Sequence, residues 1–221
     1  MSAKSPVVLS FHDSLIRESD LELLKEGCWL NDTLIGFAFE YFEQVKYKEY
    51  ADGVAFISPD VTQFIKFGAD EELRICLEPL INSLASKRLV FLAVNDNASM
   101  EEAGGSHWSL LVYNSASKSF MHFDSSGNFN VDAAKSISKK LKSLLQTDPQ
   151  ASLENCPCSQ QTNASDCGVY VISFVEYLCE KILRNCETEM TSIVTPESVR
   201  LKRQQLKDLI LNLSKMDNSE R

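Results

Sequence analysis

The strongest constraint on the fold is a long, largely apolar segment in the second half of the chain. It begins at Cys167 and continues to Leu183, without proline and without glycine after Gly168. A buried strand seldom exceeds eight residues, whereas a helix that is apolar on nearly all sides is a buried one. The segment therefore predicts a central helix that begins near Cys167 and is enclosed by the rest of the protein.

Three other segments have the composition of β-strands. They are RLVFLAV, HWSLLVY and SFMHFD, which begin at Arg88, His107 and Ser119. The last two flank the polar loop NSASK, which is typical of a hairpin. A block of strands is therefore expected between the N-terminal and C-terminal helices.

Helix starts are recognisable on both sides of these strands. The motifs WLND, SPD and TPE each place a capping residue before an apolar periodic segment, and in WLND either Asn31 or Asp32 can be the cap. A capping box that opens at Ser19 predicts one more short helix, which Gly27 ends. We expect a single α+β domain over residues 1–221, with a mixed or antiparallel sheet.

Composition argues against several classes of protein. The net charge of −9 disfavours binding to nucleic acid, which depends on lysine and arginine to neutralise phosphates. No segment offers the roughly 20 apolar residues of a membrane helix, and the N-terminal residues lack the apolar core of a signal peptide. Seven cysteines do not pair evenly into disulfides. We expect a monomeric, reduced protein of the cytoplasm and nucleus that binds neither nucleic acid nor membrane.

Cys167 lies where a nucleophile is expected. At the start of a helix, unpaired backbone N–H groups and the helix dipole favour a thiolate. The adjacent Gly168 is expected to let a substrate backbone approach the sulfur closely. A nucleophilic cysteine also needs a base, and the chain offers three histidines: His12, His107 and His122.

The predicted hairpin favours His107 as that base. If NSAS forms its loop, His107 faces Asp124 across the strands, and His122 faces Ser109. A carboxylate in that position can hold the imidazole in one tautomer and stabilise its protonated form. Each residue also has an ordinary structural explanation, and their coincidence with the helix start at Cys167 is what favours catalysis.

No metal or cofactor site is predicted. Cys156 and Cys158 are close in sequence, but a structural zinc site needs four ligands at recognisable spacings, and the sequence contains no second pair of this kind. It also has only eight glycines and no glycine-rich phosphate loop. The expected chemistry therefore depends on the cysteine and its neighbours alone.

Several blocks of the sequence resemble one protein family. GSHWSLLVY, FMHFDSSG and PCSQQTNASDCGVYV are similar to the His, Asp and Gln-to-Cys blocks of the ubiquitin-like protein proteases, the sentrin/SUMO-specific clan. The order of these blocks and the phrase QQxNxxDCG are highly specific. With WLND, VVLSF, FISPDVTQFIK and FLAVNDN in place as well, the chain resembles the small deneddylase branch along nearly its whole length.

This resemblance implies a papain-like cysteine protease architecture and a set of site residues. The implied catalytic residues are Cys167 as nucleophile, His107 as base, Asp124 as the group that orients it, and Gln161 as an oxyanion donor. The implied substrate-binding residues are Trp29, Asp32, Asn95 and Trp108. The two tryptophans would flank a narrow tunnel for a Gly-Gly tail.

The implied activity is cleavage after the C-terminal Gly-Gly of a ubiquitin-like modifier. The resemblance to the deneddylase branch implies that this modifier is the neddylation modifier. The protease would release it from its precursor and from lysines of cullins and other proteins. Three alternatives remain open: the same chemistry on SUMO or ubiquitin, an acyltransferase with the same triad, and an inactive binder. An intact set of chemical residues disfavours the last, and the absence of a basic patch disfavours an acyl-coenzyme A substrate.

The polar segment from Asn95 to Ser106 precedes His107 directly. It ends in Gly104 and Gly105 and has no apolar periodicity. We expect it to act as a lid that moves when substrate binds.

Overall fold

The computed structural model describes residues 5–100, 102, 104–146 and 150–220. Its strands are β1 (Val7–Phe11), β2 (Ser14–Arg17), β3 (Val54–Ile57), β4 (Leu89–Asn95), β5 (Trp108–Asn114), β6 (Ser119–Phe123) and β7 (Leu153–Asn155). Its α-helices are α1 (Glu18–Glu22), α2 (Asp32–Tyr41), α3 (Pro59–Phe67), α4 (Asp70–Cys76), α5 (Glu78–Leu84), α6 (Val131–Leu145), α7 (Cys167–Leu183), α8 (Met190–Ile193) and α9 (Pro196–Glu220). Short π and 3₁₀ turns follow α2, at Phe42–Lys46 and Lys48–Tyr50.

The predicted central helix is confirmed. Helix α7 begins at Cys167 and ends at Leu183, and twelve of its residues are buried. It packs against β5, α2 and α9. The nucleophile candidate therefore lies on a helix that is held from several sides.

A five-stranded mixed sheet forms the other half of the architecture. The strand order is β3-β4-β5-β6-β7, with antiparallel pairing in the middle and parallel pairing of the two edge strands. Alternate residues of β4 contribute to two different hydrophobic clusters, one with α2, α7 and α9 and one with α3 and α6. The sheet is therefore covered by helices on both faces, which confirms the α+β prediction.

The register of the β5–β6 hairpin differs from the prediction by two residues. His122 pairs with Leu111 instead of Ser109, and by the same register Asp124 lies opposite Ser109 instead of His107. The loop begins one residue later than expected because Lys118, with φ of 52°, adopts a left-handed turn conformation. An even shift keeps each side chain on its predicted face, so the partners still meet diagonally.

Most of the predicted helix starts are correct. The side chain of Asn31 accepts a hydrogen bond from Leu34 N, and that of Ser58 accepts one from Val61 N. The predicted box at Ser19 is wrong, because α1 begins earlier and its Asp20 carboxylate accepts from Arg17 N at 2.8 Å. Within the described residues, no helix combines the length and apolarity needed to cross a membrane.

Candidate active site

His107 and Asp124 meet at one end of the sheet. His107 directly precedes β5 and Asp124 directly follows β6, so both lie where the strands give way to loops. His107 Nε2 lies 2.6 Å from Asp124 Oδ1, and both residues are buried. The predicted partnership is present, although the two residues face each other diagonally.

The Asp124 carboxylate is held by the loop that follows it. Its Oδ1 also accepts from Ser126 N and its Oδ2 accepts from Asn130 N, each at 2.9 Å. Burial acts to raise the pKa of Asp124, but these donors and the His107 ring outweigh it and hold the pKa below its usual value. The group is therefore a fixed anion that can orient and stabilise a protonated imidazole.

Cys167 approaches the same ring from the start of α7. Because Nε2 of His107 is engaged with Asp124, Nδ1 is the ring nitrogen that remains available to the Cys167 side chain, which lines the same cleft. Burial acts to lower the pKa of His107, but the hydrogen bonds and charges of Asp124 and Cys167 raise it to about 9. His107 is therefore protonated at neutral pH and can stabilise negative charge that develops on the sulfur beside it.

Gly168 has a different role from the expected one. A Cβ at this position would lie 3.0 Å from Leu30 Cβ and 3.2 Å from Ile35 Cδ1. The glycine therefore lets α7 pack closely against the segment that begins α2. The close approach it permits is between two parts of the protein, not between protein and substrate.

Gln161 is fixed beside the loop after Asp124. Its backbone N donates to Ser125 O at 2.8 Å, and its side-chain oxygen accepts from Ser125 Oγ at 2.7 Å. Its amide nitrogen donates to Asn163 O at 2.6 Å, which leaves one amide N–H for another acceptor. Gln161 does not line the cleft that contains Cys167 and His107.

A cleft of about 430 Å³ leads to Cys167 and His107. All four predicted substrate-binding residues line it: Trp29, Asp32, Asn95 and Trp108. Trp29 Nε1 donates to Ala164 O at 2.8 Å, and Trp108 Nε1 donates to Leu30 O at 3.1 Å. Both indoles are therefore anchored to backbone in the wall of the cleft that Cys167 also lines.

The expected lid carries many hydrogen bonds in this structure. Asp96 accepts from both Ser106 N and His107 N, at 2.6 and 2.9 Å, and Lys66 donates to the carbonyls of Asn95 and Asn97. These bonds fix both ends of the segment next to the cleft. Residues 101 and 103 of the lid lie outside the described part, and its movement stays a prediction.

The other thiols and histidines do not resemble Cys167 and His107. Burial raises the pKa of Cys158 to about 11, and its Sγ donates to Asp124 O at 3.3 Å. His12 is exposed, and His122 lies between Ser109 and Asn155. Within the described residues, no three His, Cys, Asp or Glu side chains form a group that could hold a metal ion.

The family is decided by the match of most of the chain to one family model. The model described as Ulp1 protease family, C-terminal catalytic domain, matches residues 28–215. The chain belongs to the Ulp1 protease family. It is accordingly a cysteine peptidase, and the matched range contains every site residue that the sequence predicted.

Relatives and solved structures agree with membership of the Ulp1 family. The chain is 46% identical over 213 residues to sentrin-specific protease 8 of Homo sapiens, which covers 95% of this chain and 99% of that protein. It is 34% identical over 175 residues to NEDD8-specific protease 1 of Arabidopsis thaliana, covering 78% and 75%. The C-terminal Ulp1 protease domain, solved in complex with Smt3, the yeast ortholog of SUMO, superimposes with a TM-score of 0.74 at 19% identity, covering 96% and 90%. This likeness confirms the fold.

Two residues of this Ulp1-family site were not predicted from the sequence. Asn130 is 1% exposed, and its Nδ2 donates to the carbonyls of Val94 and His107, each at 3.2 Å. Arg203 is 3% exposed and reaches Asp166, the residue before Cys167. A signal for Arg203 was available, because it occupies a position of the apolar stripe along α9.

Proposed function

We propose that this Ulp1-family peptidase cleaves after the C-terminal Gly-Gly of NEDD8, in its precursor and in conjugates with lysine side chains. The observation that carries the proposal is the bond of His107 to Asp124 at a cleft that Cys167 and two tryptophans also line. The names of the relatives, NEDD8-specific protease among them, support the choice of modifier.

The first chemical step forms a thioester. The Cys167 thiolate attacks the carbonyl carbon of the terminal glycine, and the carbonyl becomes an oxyanion. His107, protonated with a pKa of about 9, gives its proton to the leaving amine as the C–N bond breaks. Asp124 keeps the ring oriented and compensates its positive charge.

The oxyanion needs hydrogen-bond donors that can reach it. The backbone N–H of Cys167 is one of the first N–H groups of α7, which have no partner within the helix. Gln161 is the proposed second donor, through the amide N–H that Asn163 does not use. A rotation or small shift of this amide on substrate binding is part of the proposal.

The second step releases the modifier. With its proton gone, His107 accepts a proton from water, and the resulting hydroxide attacks the thioester. The C–S bond breaks and the Cys167 thiolate returns beside the imidazolium. The reaction consumes one water per peptide or isopeptide bond and requires no metal in this scheme.

The cleft supports recognition of a narrow tail. Trp29 and Trp108 are proposed to admit only glycines at the last two positions. Asp32, Asp60 and Glu102 also line the cleft, which favours a basic tail without separating NEDD8 from ubiquitin. The family resemblance implies that the enzyme distinguishes NEDD8 from ubiquitin at one position of the tail. NEDD8 has alanine there and ubiquitin has arginine, and a small pocket can reject the arginine.

The decisive experiment compares modifiers that differ only in sequence. NEDD8, ubiquitin and SUMO, each with the same C-terminal fluorophore, are hydrolysed side by side, with a C-terminal electrophile version of each for covalent trapping. We expect NEDD8 to react fastest, ubiquitin much more slowly and SUMO essentially not at all. A preference for SUMO would overturn the modifier, and trapping on Cys156 or Cys158 would overturn the nucleophile.

The wider role follows from this activity. Lysine conjugates on cullins and other proteins are the proposed physiological substrates of a monomeric enzyme. A reducing compartment, the cytoplasm and nucleus, suits a protein whose seven cysteines are all free thiols.

A further inference from the structure

Phe129 combines high exposure with a contact to the proposed base. Its side chain is 62% exposed, more than the 48% of Trp29. Its ring centroid lies 5.3 Å from that of His107, with the two rings at 70° in an edge-to-face arrangement. An isolated exposed apolar residue needs no explanation, but one that touches the base does.

The position of Phe129 is fixed by the group that orients His107. The next residue, Asn130, donates its backbone N–H to Asp124 Oδ2 at 2.9 Å, and its own side chain is bonded to His107 O. On the other side, Gly127 N donates to Gln160 Oε1 at 2.7 Å. One carboxylate therefore holds both the imidazole and the backbone that presents Phe129.

Phe129 lies outside the cleft that receives the tail. Cys167 and His107 line that cleft, and Phe129 does not. During thioester formation the tail occupies the cleft, and the leaving amine must lie next to His107 to accept its proton. Phe129, which touches the His107 ring outside the cleft, is an exposed apolar side chain within reach of the remainder of the leaving group.

We infer that Phe129 is a specificity-determining residue on the leaving-group side, where it packs against the aliphatic stem of the lysine being released. This inference rests on the proposed function. Contact with about two methylene groups predicts a roughly tenfold effect on kcat/KM. Substrates whose leaving group has no such stem are expected to show little dependence on Phe129.

The test uses two substrates with the same NEDD8 acyl part. One carries a lysine-containing peptide in isopeptide linkage, and the other is a C-terminal methyl ester with a minimal leaving group. For Phe129→Ala we expect kcat/KM to fall about tenfold on the isopeptide and less than about twofold on the ester. Phe129→Leu, which retains an apolar side chain, should recover most of the loss.

Two controls separate this role from a structural one. Ile75→Ala removes another exposed apolar side chain, 72% exposed on α4, and should affect neither substrate. The pH profile of ester hydrolysis reports whether His107 itself has changed, and we expect the same upper limb in wild type and Phe129→Ala.

Three results would overturn the inference. They are an unchanged isopeptide rate, an equal loss on both substrates, and a shifted upper limb in the pH profile. A wild-type enzyme that cleaves neither NEDD8 substrate would instead overturn the proposed function, and this inference with it.

Discussion

The guanidinium of Arg203 on α9 binds the carboxylate of Asp166, the residue directly before Cys167. Nε and Nη2 of Arg203 lie 2.9 and 2.6 Å from Asp166 Oδ1, and the arginine is 3% exposed. Nη1 also donates to the carbonyls of Leu23 and Lys25, and Nη2 is shared with those of Cys28 and Ser165. One side chain therefore joins the last helix, the segment before Trp29 and the loop that ends at the nucleophile.

Breaking this pair is expected to destabilise the protein strongly. Arg203→Met leaves a buried, uncompensated carboxylate and should cost about 3–5 kcal/mol of unfolding free energy in urea titrations. Adding Asp166→Asn removes that charge and should recover part of the loss. Arg200→Met, at an exposed position of the same helix, is the control and should stay within about 0.5 kcal/mol. A single Arg203 variant as stable as this control would contradict the assigned role.

Replacement of Cys167 by alanine should abolish hydrolysis without unfolding the protein. Loss of the nucleophile is expected to lower kcat by roughly 10³-fold or more, while NEDD8 binding is retained. Steady-state kinetics and calorimetric binding measure the two effects separately. Cys156→Ala serves as the matched control, and activity in Cys167→Ala above a few per cent of wild type would remove Cys167 from the mechanism.

Asp124→Asn should change both the rate and its pH dependence. In wild type the upper limb of kcat/KM is expected near pH 9, where His107 loses the proton it must donate. Loss of the carboxylate charge lowers the pKa of His107, so the upper limb should move to lower pH, with a roughly hundredfold or greater rate loss. Asp132→Asn, on an exposed side chain of α6, is the control. An unchanged profile would exclude Asp124 as the orienting group.

His122 is expected to make the fold sensitive to mild acid. It is 1% exposed, with Nδ1 3.0 Å from Asn155 Oδ1 and Nε2 2.9 Å from Ser109 Oγ, and burial lowers its pKa. Below about pH 6.5 the unfolded chain binds a proton that the folded His122 does not, so stability falls as pH falls, by at most about 1.4 kcal/mol per pH unit.

The acid effect of His122 is measured as the change in unfolding free energy between pH 7 and pH 5. His122→Gln should reduce this change, whatever its effect on stability at pH 7. His12→Asn, at an exposed position with φ of 46°, should leave the change as in wild type. Equal pH dependence in the His122 variant and wild type would contradict the prediction.

Gly105 should tolerate no side chain. Its φ is 88°, and an added Cβ would lie 1.9 Å from Asn95 Oδ1. Gly105→Ala is therefore expected to displace Asn95 from the cleft wall and raise KM several-fold. Gly27→Ala has a similar φ of 81° but no atom within 4 Å, so it isolates backbone strain, of about 1–2 kcal/mol, from the clash. Equal KM values for Gly105→Ala and Gly27→Ala would contradict this prediction, because the clash would then be relieved without displacement of Asn95.

Local sequence patterns were sufficient for most of the helix starts, though not for that of α1, and for the central helix. Asn31 and Ser58 cap their helices by contacts within four residues, and the apolar composition of α7 requires burial wherever it packs. The hairpin register was less accessible, because one residue with a left-handed backbone, Lys118, decides where the loop begins. The pairing of His107 with Asp124 tolerated this error because the shift was even.

Sequence patterns did not predict two contacts between residues that lie far apart in the sequence. Asp166 and Arg203 are separated by 37 residues, and nothing local to either residue identifies the other. Gly168 was assigned to substrate access, although the atoms nearest to its missing Cβ belong to Leu30 and Ile35. In both cases the deciding contact is made between elements that only tertiary packing brings together.

The indole anchors of the cleft also give the protein an optical property. Trp29 and Trp108 are its only two tryptophans, and both line the cleft. Tryptophan fluorescence excited at the red edge of protein absorption therefore comes from this cleft, with no background from the rest of the fold. A modifier tail that enters between the two rings must alter their solvation and their distance to quenching groups. The protein thus carries its own fluorescent reporter of occupancy, suited to stopped-flow measurement of binding before any bond is cut.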